Sequence, residues 1–342
     1  MTPEPVRTEP LIAPAPELEV ASSVVAGPGA ADGDLVVRTA SATLRLEGGV
    51  ASVVRDRILP ALGRPRSRAD LRDELSDLPA AEIERLLHLL LDAGVLVETY
   101  ADVPRWLGTV TSSGREREAL AVRLGALRVV LIGQADVTGA VAAALTTAQL
   151  PPEHVARAPY PRQRDELPAL LAGADLVIAA ADGALPVLHP WVNTAGLESG
   201  VPALHVELRG ARATVGPLVL PGEGPCYLCW RMRALACADD FAAAMALEEA
   251  MDARRSPDPV RPMPPALLPM VTGAVVAELF ALTLRIAQPR LVGGVLSLNA
   301  LGGAEALHPV LPRPDCPACA KKARRPRVAG PRTEQGLPIS TA

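Results

Sequence analysis

The pattern of apolar and polar positions divides the chain into two parts. In residues 80–93, isoleucine and leucine recur three and four positions apart, which predicts an amphipathic helix that begins after Pro79 and ends before Gly94. Apolar and polar residues alternate over residues 42–46, and a second strand-like run covers residues 35–39. Further along, continuous apolar runs alternate with alanine-rich helical stretches. We therefore expect a small mixed domain followed by a larger α/β domain.

The first part, residues 34–101, has the element order of a winged-helix domain. Its hairpin is followed by predicted helices at residues 50–62 and 68–78, with Ser67 as the N-cap of the second, and a short strand closes it. Winged-helix domains often bind DNA, but here acidic residues are interspersed with the arginines. They are Asp70, Asp73, Glu74, Asp77, Glu82 and Glu84. A peptide that adds as a strand at the hairpin edge is at least as reasonable a ligand.

The second part predicts a doubly wound α/β domain. Residues 127–133 form an apolar strand that runs into a glycine-containing turn, and residues 137–150 form an alanine-rich helix, which is how a nucleotide-binding βα unit opens. Another apolar strand covers residues 174–182, a helix lies around residues 191–199, and residues 201–210 supply a further strand. Strands that alternate with helices indicate a parallel sheet.

The remaining segments are expected to be tails and a linker. The proline-rich residues 1–33 have no basic segment followed by an apolar stretch of signal-peptide length, and they predict a disordered tail. Residues 102–125 predict a linker, residues 126–320 the larger domain, and residues 321–342 a second disordered tail.

The net charge and the apolar stretches indicate which compartment and which partners to expect. The 342 residues carry a formal net charge of -4, which gives no reason to expect nucleic acid as a partner. The most apolar helical stretch, residues 271–287, is interrupted by Glu278 and Arg285, so we expect a buried helix and no membrane span. These features predict a cytoplasmic protein.

Four of the five cysteines form two C-x-x-C pairs, Cys226 with Cys229 and Cys316 with Cys319. Because structural disulfides are rare in the cytoplasm, the pairs predict a tetrahedral Cys₄ site for structural Zn²⁺. A disulfide pair and a redox C-x-x-C remain the alternatives. Four sulfur ligands leave no open position, so this metal is not expected to catalyse. Cys237 lies in an alanine-rich helical context and predicts a small buried thiol.

A nucleotide-binding-like half, a C-x-x-C pair after its later strands, a buried helix and a second C-x-x-C pair resemble the ThiF/MoeB, ubiquitin-activating-enzyme-like superfamily. With the winged-helix domain in front, the chain is similar to the ThiF-like leader-peptide-binding components of azole-forming (thiazole/oxazole) peptide biosynthesis. In this resemblance the front domain is a PqqD-like RiPP recognition element, where RiPP denotes a ribosomally synthesised and modified peptide. The resemblance covers residues 34–319.

This resemblance implies a scaffold subunit without catalytic activity of its own. The leader of a precursor peptide would add as a strand beside residues 42–46, lie against the helix of residues 80–93, and thereby be presented to a separate YcaO-type cyclodehydratase. That partner would use ATP to turn Cys, Ser or Thr into azolines. The expected peptide-binding residues are Arg45, Leu46, Arg85 and Leu89, with Leu46 shared between groove and core. The resemblance also implies a homodimer.

Adenylating members of the superfamily bind ATP, and three departures argue against ATP in this chain. In the turn "GQADVTG", Gly133 and Gly139 match the first and last glycines of G-x-G-x-x-G, but Ala135 and Asp136 occupy the middle, where a side chain and a negative charge oppose a triphosphate. The acidic ribose-binding residue and the D-x-D...N-L-x-R-Q segment are also missing. Finally, the lysines are confined to residues 321–322, in the predicted tail, so the body offers none to the phosphates.

Two other functions remain open. One is an adenylating enzyme of the ThiF/MoeB type that acts on a carrier protein or a peptide C-terminus, and the other is a winged-helix DNA-binding regulator. Among single residues, we expect His88 to be solvated and His205 to be a sheet residue with its hydrogen bonds satisfied. Asp182 ends an apolar strand, where it can face a ligand or cap the next helix.

Overall fold

The fold was analysed in a computed structural model of the chain. The structure describes residues 17–21, 24–29, 33–39, 43–99, 103–111, 113–181, 187–253, 262–302 and 304–320. The chain forms two compact units, Met1–Ala126 and Leu127–Ala342. The boundary falls where the sequence predicts the start of the larger domain.

Unit 1 contains two three-stranded sheets. The strands are β1 Glu17–Val20, β2 Val25–Pro28, β3 Leu35–Arg38, β4 Thr43–Leu46, β5 Arg66–Ser67 and β6 Leu96–Thr99. Their orders are β5-β1-β6 and β2-β3-β4, all antiparallel. The predicted hairpin is therefore present as β3 and β4. The predicted disordered tail of residues 1–33 is wrong in its second half, because β1 pairs with β6 and buries Leu18 completely in the core.

The helices of unit 1 follow the predicted order. They are α1 Gly48–Val53, α2 Leu59–Ala61, α3 Arg68–Glu74, α4 Ala80–Asp92 and α5 Gly114–Ala126, with a π-helical turn Val54–Ile58 joining the first two. Ser67 caps α3 as predicted: its hydroxyl accepts from the Asp70 backbone N–H at 3.1 Å. The left-handed Gly94, with φ +68°, lies just past the end of α4.

The predicted linker of residues 102–125 is also wrong. A 3-10 helix, Arg105–Thr109, and most of α5 occupy it. Leu120 and Leu124 on α5 are buried, and the fully buried Arg117 forms an ion pair with Glu19 at 3.3 Å. Because this segment is polar in composition, a linker was predicted and the helix was missed. The helix packs within unit 1 and exposes its remaining charged face.

Unit 2 is built on a seven-stranded sheet. Its strands are β7 Val129–Gly133, β8 Val155–Ala158, β9 Leu176–Ala181, β10 Ala203–Arg209, β11 Arg212–Val219, β12 Gly294–Asn299 and β13 Ala304–Pro309. The order is β13-β12-β11-β10-β9-β7-β8, in which β8, β7, β9 and β10 are parallel and β11 to β13 continue the sheet in antiparallel fashion. The parallel half agrees with the predicted α/β pattern. The antiparallel half was not predicted.

Helices in unit 2 connect these strands. They are α6 Ala135–Thr147, α7 Leu167–Leu170, α8 Leu188–Ser199, α9 Tyr227–Ala236, α10 Phe241–Asp252 and α11 Leu267–Leu284, with 3-10 turns at Pro152–His154 and Arg164–Glu166. Of the described helices, only α11 is long and apolar enough to cross a membrane. It packs on α6, β11 and β12, and its buried Glu278 accepts from the backbone N–H groups of Arg290 and Leu291 at 3.2 and 3.1 Å. These contacts make α11 a core helix, as its sequence predicts.

The turn from β7 to α6 depends on a close backbone approach. Gly133 has φ +117°, and a Cβ added there would lie 1.9 Å from the carbonyl oxygen of Ala180. That carbonyl accepts the backbone N–H of Gln134 at 2.9 Å. Gly133 is therefore needed for the close approach of the two backbones, independently of any ligand at the turn.

We expect Gly133→Ala to lower the free energy of unfolding of unit 2 by about 3 kcal/mol or more, because the methyl group must displace the Ala180 carbonyl and the backbone is left-handed. Urea unfolding followed by circular dichroism measures this. Gly125→Ala is the matched control: it lies in α5 with open space around the added carbon, so its stability should stay equal or rise slightly. Equal unfolding midpoints for the two variants would contradict the packing argument.

Candidate functional site

The four cysteines of the two C-x-x-C pairs meet in unit 2. The Sγ atoms of Cys226, Cys229, Cys316 and Cys319 all lie within 4.8 Å of one another. Individual separations are 3.6 Å from Cys226 to Cys316, 3.5 Å from Cys229 to Cys319 and 4.0 Å from Cys226 to Cys229. All four are free thiols. The disulfide pair that the sequence left as an alternative is therefore absent from this structure, whereas the free thiols do not test the redox alternative.

Two separate elements position the thiols. Cys226 is the N-cap residue of α9 and Cys229 lies in its first turn, whereas Cys316 and Cys319 belong to the turns that follow β13. The backbone N–H of Arg313 donates to the Cys229 sulfur at 3.4 Å. A helix N-terminus and an N–H donor both favour negative charge on sulfur.

The donor set fits a single tetrahedral metal ion. Metal–sulfur bonds of about 2.3 Å in a tetrahedron place the sulfur atoms about 3.8 Å apart, close to the separations above. Burial raises the pKa of the Cys226 thiol to about 12 and also raises that of Cys319. Three of the four cysteines are buried and Cys319 is half-buried, so thiolates here need a cation to offset their charge. The cluster can hold a metal ion with no position left open for a substrate.

Cys237 does not belong to this cluster. It caps the C-terminus of α9 and is exposed. The prediction of a buried thiol is wrong because α9 ends one residue earlier, at Ala236, and the chain then turns across the surface.

A buried pair of histidines lies beside the cluster. The Nδ1 atoms of His189 on α8 and His205 on β10 are 3.2 Å apart, and both rings pack on Tyr227, with ring centroids 5.1 and 4.6 Å away. One histidine must donate its Nδ1–H and the other accept, so the two carry different tautomers. Neither Nε2 atom has a hydrogen-bond partner among the residues that the structure describes. The expectation that His205 has its hydrogen bonds satisfied therefore holds for one ring nitrogen only.

Asn193 joins this region from α8. Its side-chain oxygen accepts the backbone N–H of Tyr227 at 3.0 Å, and its Nδ2 has no partner. Burial is the main cause that lowers the pKa of His189 to about 3, and the charges of Arg231 and Arg209 add to it. Burial lowers the pKa of His205 as well, with His189 contributing. Both rings are neutral in the folded protein at neutral pH.

An arginine and the backbone of β9 surround the glycine-containing turn. Arg157 on β8 donates through Nη2 to the carbonyl oxygen of Ala135 at 3.0 Å and to the Thr138 hydroxyl at 3.4 Å, and a Cβ added at Gly139 would lie 3.4 Å from the same Nη2. Gly139 therefore admits the arginine, and Gly133 admits the Ala180 carbonyl. Asp182, the other candidate at this end of the sheet, lies outside the described residues.

The four expected peptide-binding residues fall into two groups. Arg85 and Leu89 are exposed on α4, and Leu89 retains 41% of its accessible surface. Arg45 on β4 is half exposed and pairs with the buried Asp34 at 2.6 Å. Leu46 is buried in the same core cluster as Ile83 of α4. β4 forms one edge of its three-stranded sheet, so its outer hydrogen-bonding groups face away from β3. His88 is exposed, as expected.

Sequence reasoning missed a polar cluster around α9. Glu207 of β10 is held by Arg209 through two hydrogen bonds to one carboxylate oxygen, at 3.0 and 2.7 Å. Arg231 of α9 pairs with Glu248 and with Asp252 on α10, the latter at 2.9 Å. One signal was available: His205, Glu207 and Arg209 alternate with apolar residues in a strand that is buried on both faces except at its end.

Comparison with known proteins identifies similar folds. The heterocyclase TruD matches with a TM-score of 0.61 and 19% sequence identity over 89% of this chain, and a heterocyclase in complex with substrate and cofactor matches with 0.62 and 18% over the same share. E. coli MccB, solved alone, matches with 0.53 and 13%, and MccB with MccA-N7isoASN matches with 0.55. The chain shares the fold of both proteins.

The extent of the match differs between the two. This chain covers 43% and 40% of the heterocyclase chains, and 96% and 99% of the MccB chains. No protein-family model matches the sequence, and no curated protein does so either. At identities below a fifth, the similarity concerns architecture, and activity has to be argued from the residues above.

We expect the histidine pair to make the protein less stable in mild acid. Because the pKa of His189 is lowered in the folded state, the unfolded chain takes up the proton first, and stability is lost as pH falls from about 6.5 toward 3. Between pH 7 and pH 5, the loss in His189→Gln should be smaller than in the wild type by up to about 2 kcal/mol. Urea unfolding at both pH values, with metal content measured alongside, tests this. Identical losses in the two proteins would contradict it.

Proposed function

We propose that this chain is the leader-peptide-binding component of an azole-forming peptide biosynthesis system, and that it presents a ribosomal precursor to a separate YcaO-type cyclodehydratase. Support comes from the fold shared with heterocyclases, one of them solved with a substrate, and with MccB, solved with MccA peptides. The chain spans less than half the length of those heterocyclase chains, and that the cyclodehydratase is a different protein is part of our proposal.

The observation that carries this proposal is the free edge of β4. A peptide in extended conformation can continue the sheet β2-β3-β4 there, since the outer backbone groups of β4 have no strand beside them in the described part of the chain. α4 contributes to the same core as β4, and its exposed side chains offer selectivity. In our proposal Unit 1 is a winged-helix RiPP recognition element that reads an extended leader.

We call the surface along the free edge of β4 and the exposed side of α4 the groove. Within it, we propose that Arg85 and Leu89 contact the leader peptide directly. Arg85 has no ion-pair partner among the described residues, so it is available for an acidic side chain of the leader. Arg45 already pairs with Asp34, and Leu46 lies in the core. For these two we propose a supporting role, in which Arg45 holds β4 and Leu46 anchors it.

The metal we propose at the four cysteines is a structural zinc ion. Four thiolates in tetrahedral positions suit Zn²⁺, and the closed site has no place for a reacting group. In this role the ion holds the start of α9 against the turns after β13. Its ligands Cys226 and Cys316 are 90 positions apart in the sequence.

Adenylation is the competing function, and it is favoured by the match to MccB, which was also solved with ATP. Against it, the turn from β7 to α6 carries Asp136 in the first turn of the helix, and Arg157 is already bonded to that turn. The lysines of the chain are restricted to residues 321–322. We therefore propose that this chain is not an enzyme on its own, that it lies in the cytoplasm and forms a homodimer, and that ATP belongs to the partner.

The first test of this function is calorimetric titration of the purified chain with a synthetic leader encoded by a small reading frame beside its gene. We expect binding that Arg85→Glu and Leu89→Asp each weaken about tenfold or more, because each change removes a contact in the groove. Arg64→Glu, an exposed arginine elsewhere in unit 1, is the matched control and should bind as the wild type does. Leaders N-methylated at alternate backbone amides should lose affinity at every second position.

The same titration with ATP-Mg separates the two functions. We expect no heat of binding and no ATP–pyrophosphate exchange. Exchange activity, or leader binding that is indifferent to N-methylation, would overturn the recognition-subunit proposal in favour of an adenylating enzyme.

For the metal, we expect about one zinc ion per chain by elemental analysis. Cys229→Ser should abolish the zinc and lower the unfolding temperature, because it removes one of four thiolates. Cys237→Ser removes a thiol outside the cluster and should keep the full zinc content. Cobalt substitution should give the absorption bands of a tetrahedral thiolate site. Full zinc content in Cys229→Ser would show that these four sulfur atoms are not the ligand set.

A further inference from the structure

One face of the sheet in unit 2 is polar where helices cover it. Register places Glu207 of β10 opposite Thr214 of β11, Thr214 opposite Ser297 of β12, and Ser297 opposite Ala306 of β13. Directly opposed residues point to the same face of a sheet, so these four form one row across it. A sheet face that only packs against helices is apolar. Glu207 is buried at one end of this row, Thr214 and Ser297 are half-buried, and Ala306 is exposed, so the helices do not seal this face and a small molecule can reach it.

A cavity of about 560 Å³ separates this row from the helices. Trp230, Leu235 and Leu247 line its opposite wall, so one side of the cavity is polar and the other is apolar and aromatic. The volume falls within the range of small-molecule sites, which are also apolar with a few placed polar groups. A ligand that fits must be amphiphilic.

Two buried groups in the cavity have hydrogen-bonding capacity to spare. Glu207 is 6% exposed, and Arg209 binds only its Oε1, so Oε2 is left as an acceptor. Tyr227 is 4% exposed, and its hydroxyl has no hydrogen-bond partner in the described part of the chain. Neither atom is among the buried polar atoms that lack a partner in the described residues, so both reach solvent and are accessible to a ligand in the cavity.

The charges around the cavity favour an anion. Three arginines line it, Arg209, Arg212 and Arg231, against two carboxylates, Glu207 and Glu248. Arg209 forms an ion pair with Glu207. Arg231 forms ion pairs with Glu248 and Asp252, which both lie on α10. Arg212 is exposed, and no carboxylate pairs with it within the ranges that the structure describes. It is the cation available to a ligand.

We propose that this cavity binds a small amphiphilic monocarboxylate that also carries an amide or hydroxyl donor: the carboxylate pairs with Arg212, the donor binds Glu207 Oε2, and the apolar part contacts α9 and α10. N-acylated apolar amino acids have this chemistry. The site is separate from the metal cluster and from the groove on unit 1, and the inference does not depend on the proposed function.

N-acetyl-L-leucine is a suitable probe, measured by calorimetry and by saturation-transfer NMR on the full-length chain. Two derivatives each remove one recognition element: N-acetyl-L-leucinamide lacks the carboxylate, and N-acetyl-N-methyl-L-leucine lacks the donor. We expect both to bind about tenfold or more weakly than the parent acid, as expected for the loss of a charge-assisted hydrogen bond.

Two variants assign the contacts. Arg212→Gln should lower the affinity for the acid to that of the amide and leave the amide unchanged, whereas Arg162→Gln, an exposed arginine away from the cavity, should change neither. Failure of the acid to bind at millimolar concentration would overturn the proposal. Equal binding of acid and amide, unaltered by Arg212→Gln, would overturn it as well.

Discussion

The cluster of four thiols is the constraint on which the second half of the molecule depends. It joins the first turn of α9 to turns that follow β13, across 90 residues of sequence, and it does so with side chains that are mostly buried. Everything between these points, including α10, α11 and two strands, must fold back so that the thiols meet. Without a cation, burial keeps the pKa of the Cys226 thiol raised, and the cluster would contribute little. With a cation bound, the four sulfur atoms replace the large hydrophobic contact that a short helix such as α9 cannot supply.

Fixing α9 at its start has consequences for the sheet beneath it. Tyr227 follows Cys226 directly, so the ring that packs on His189 and His205 is placed by the cysteine cluster. One turn later, Arg231 reaches carboxylates of α10. The helix pair is thus held by the cluster at one end and by ion pairs at the other. The polar face of β10 remains uncovered between them, which explains how a cavity persists in a region of otherwise dense aliphatic packing.

Features that rest on local chemistry could be predicted from the sequence, and those that rest on long-range register could not. The spacing of Cys226 and Cys229 predicts a metal-binding turn that supplies two thiolates, and Ser67 three residues before Asp70 predicts the N-cap of α3. Both predictions depend only on neighbouring residues. By contrast, β1 lies in a proline-rich segment and becomes a strand only because β6 pairs with it from the other end of unit 1. α5 is strongly charged, and its buried side consists of Leu120, Leu124 and Arg117, the last of which pairs with Glu19 of the distant β1.

The same distinction explains the site that sequence reasoning missed. Polar residues at alternate positions of β10 are an ordinary pattern for a half-exposed strand, and nothing local distinguishes a face open to water from a face beneath a helix. The register of β10 to β13 shows that Glu207, Thr214 and Ser297 form a continuous row, and α9 lines one side of the cavity above it. Glu207 retains an acceptor in that space, and Tyr227 retains a hydroxyl without a partner.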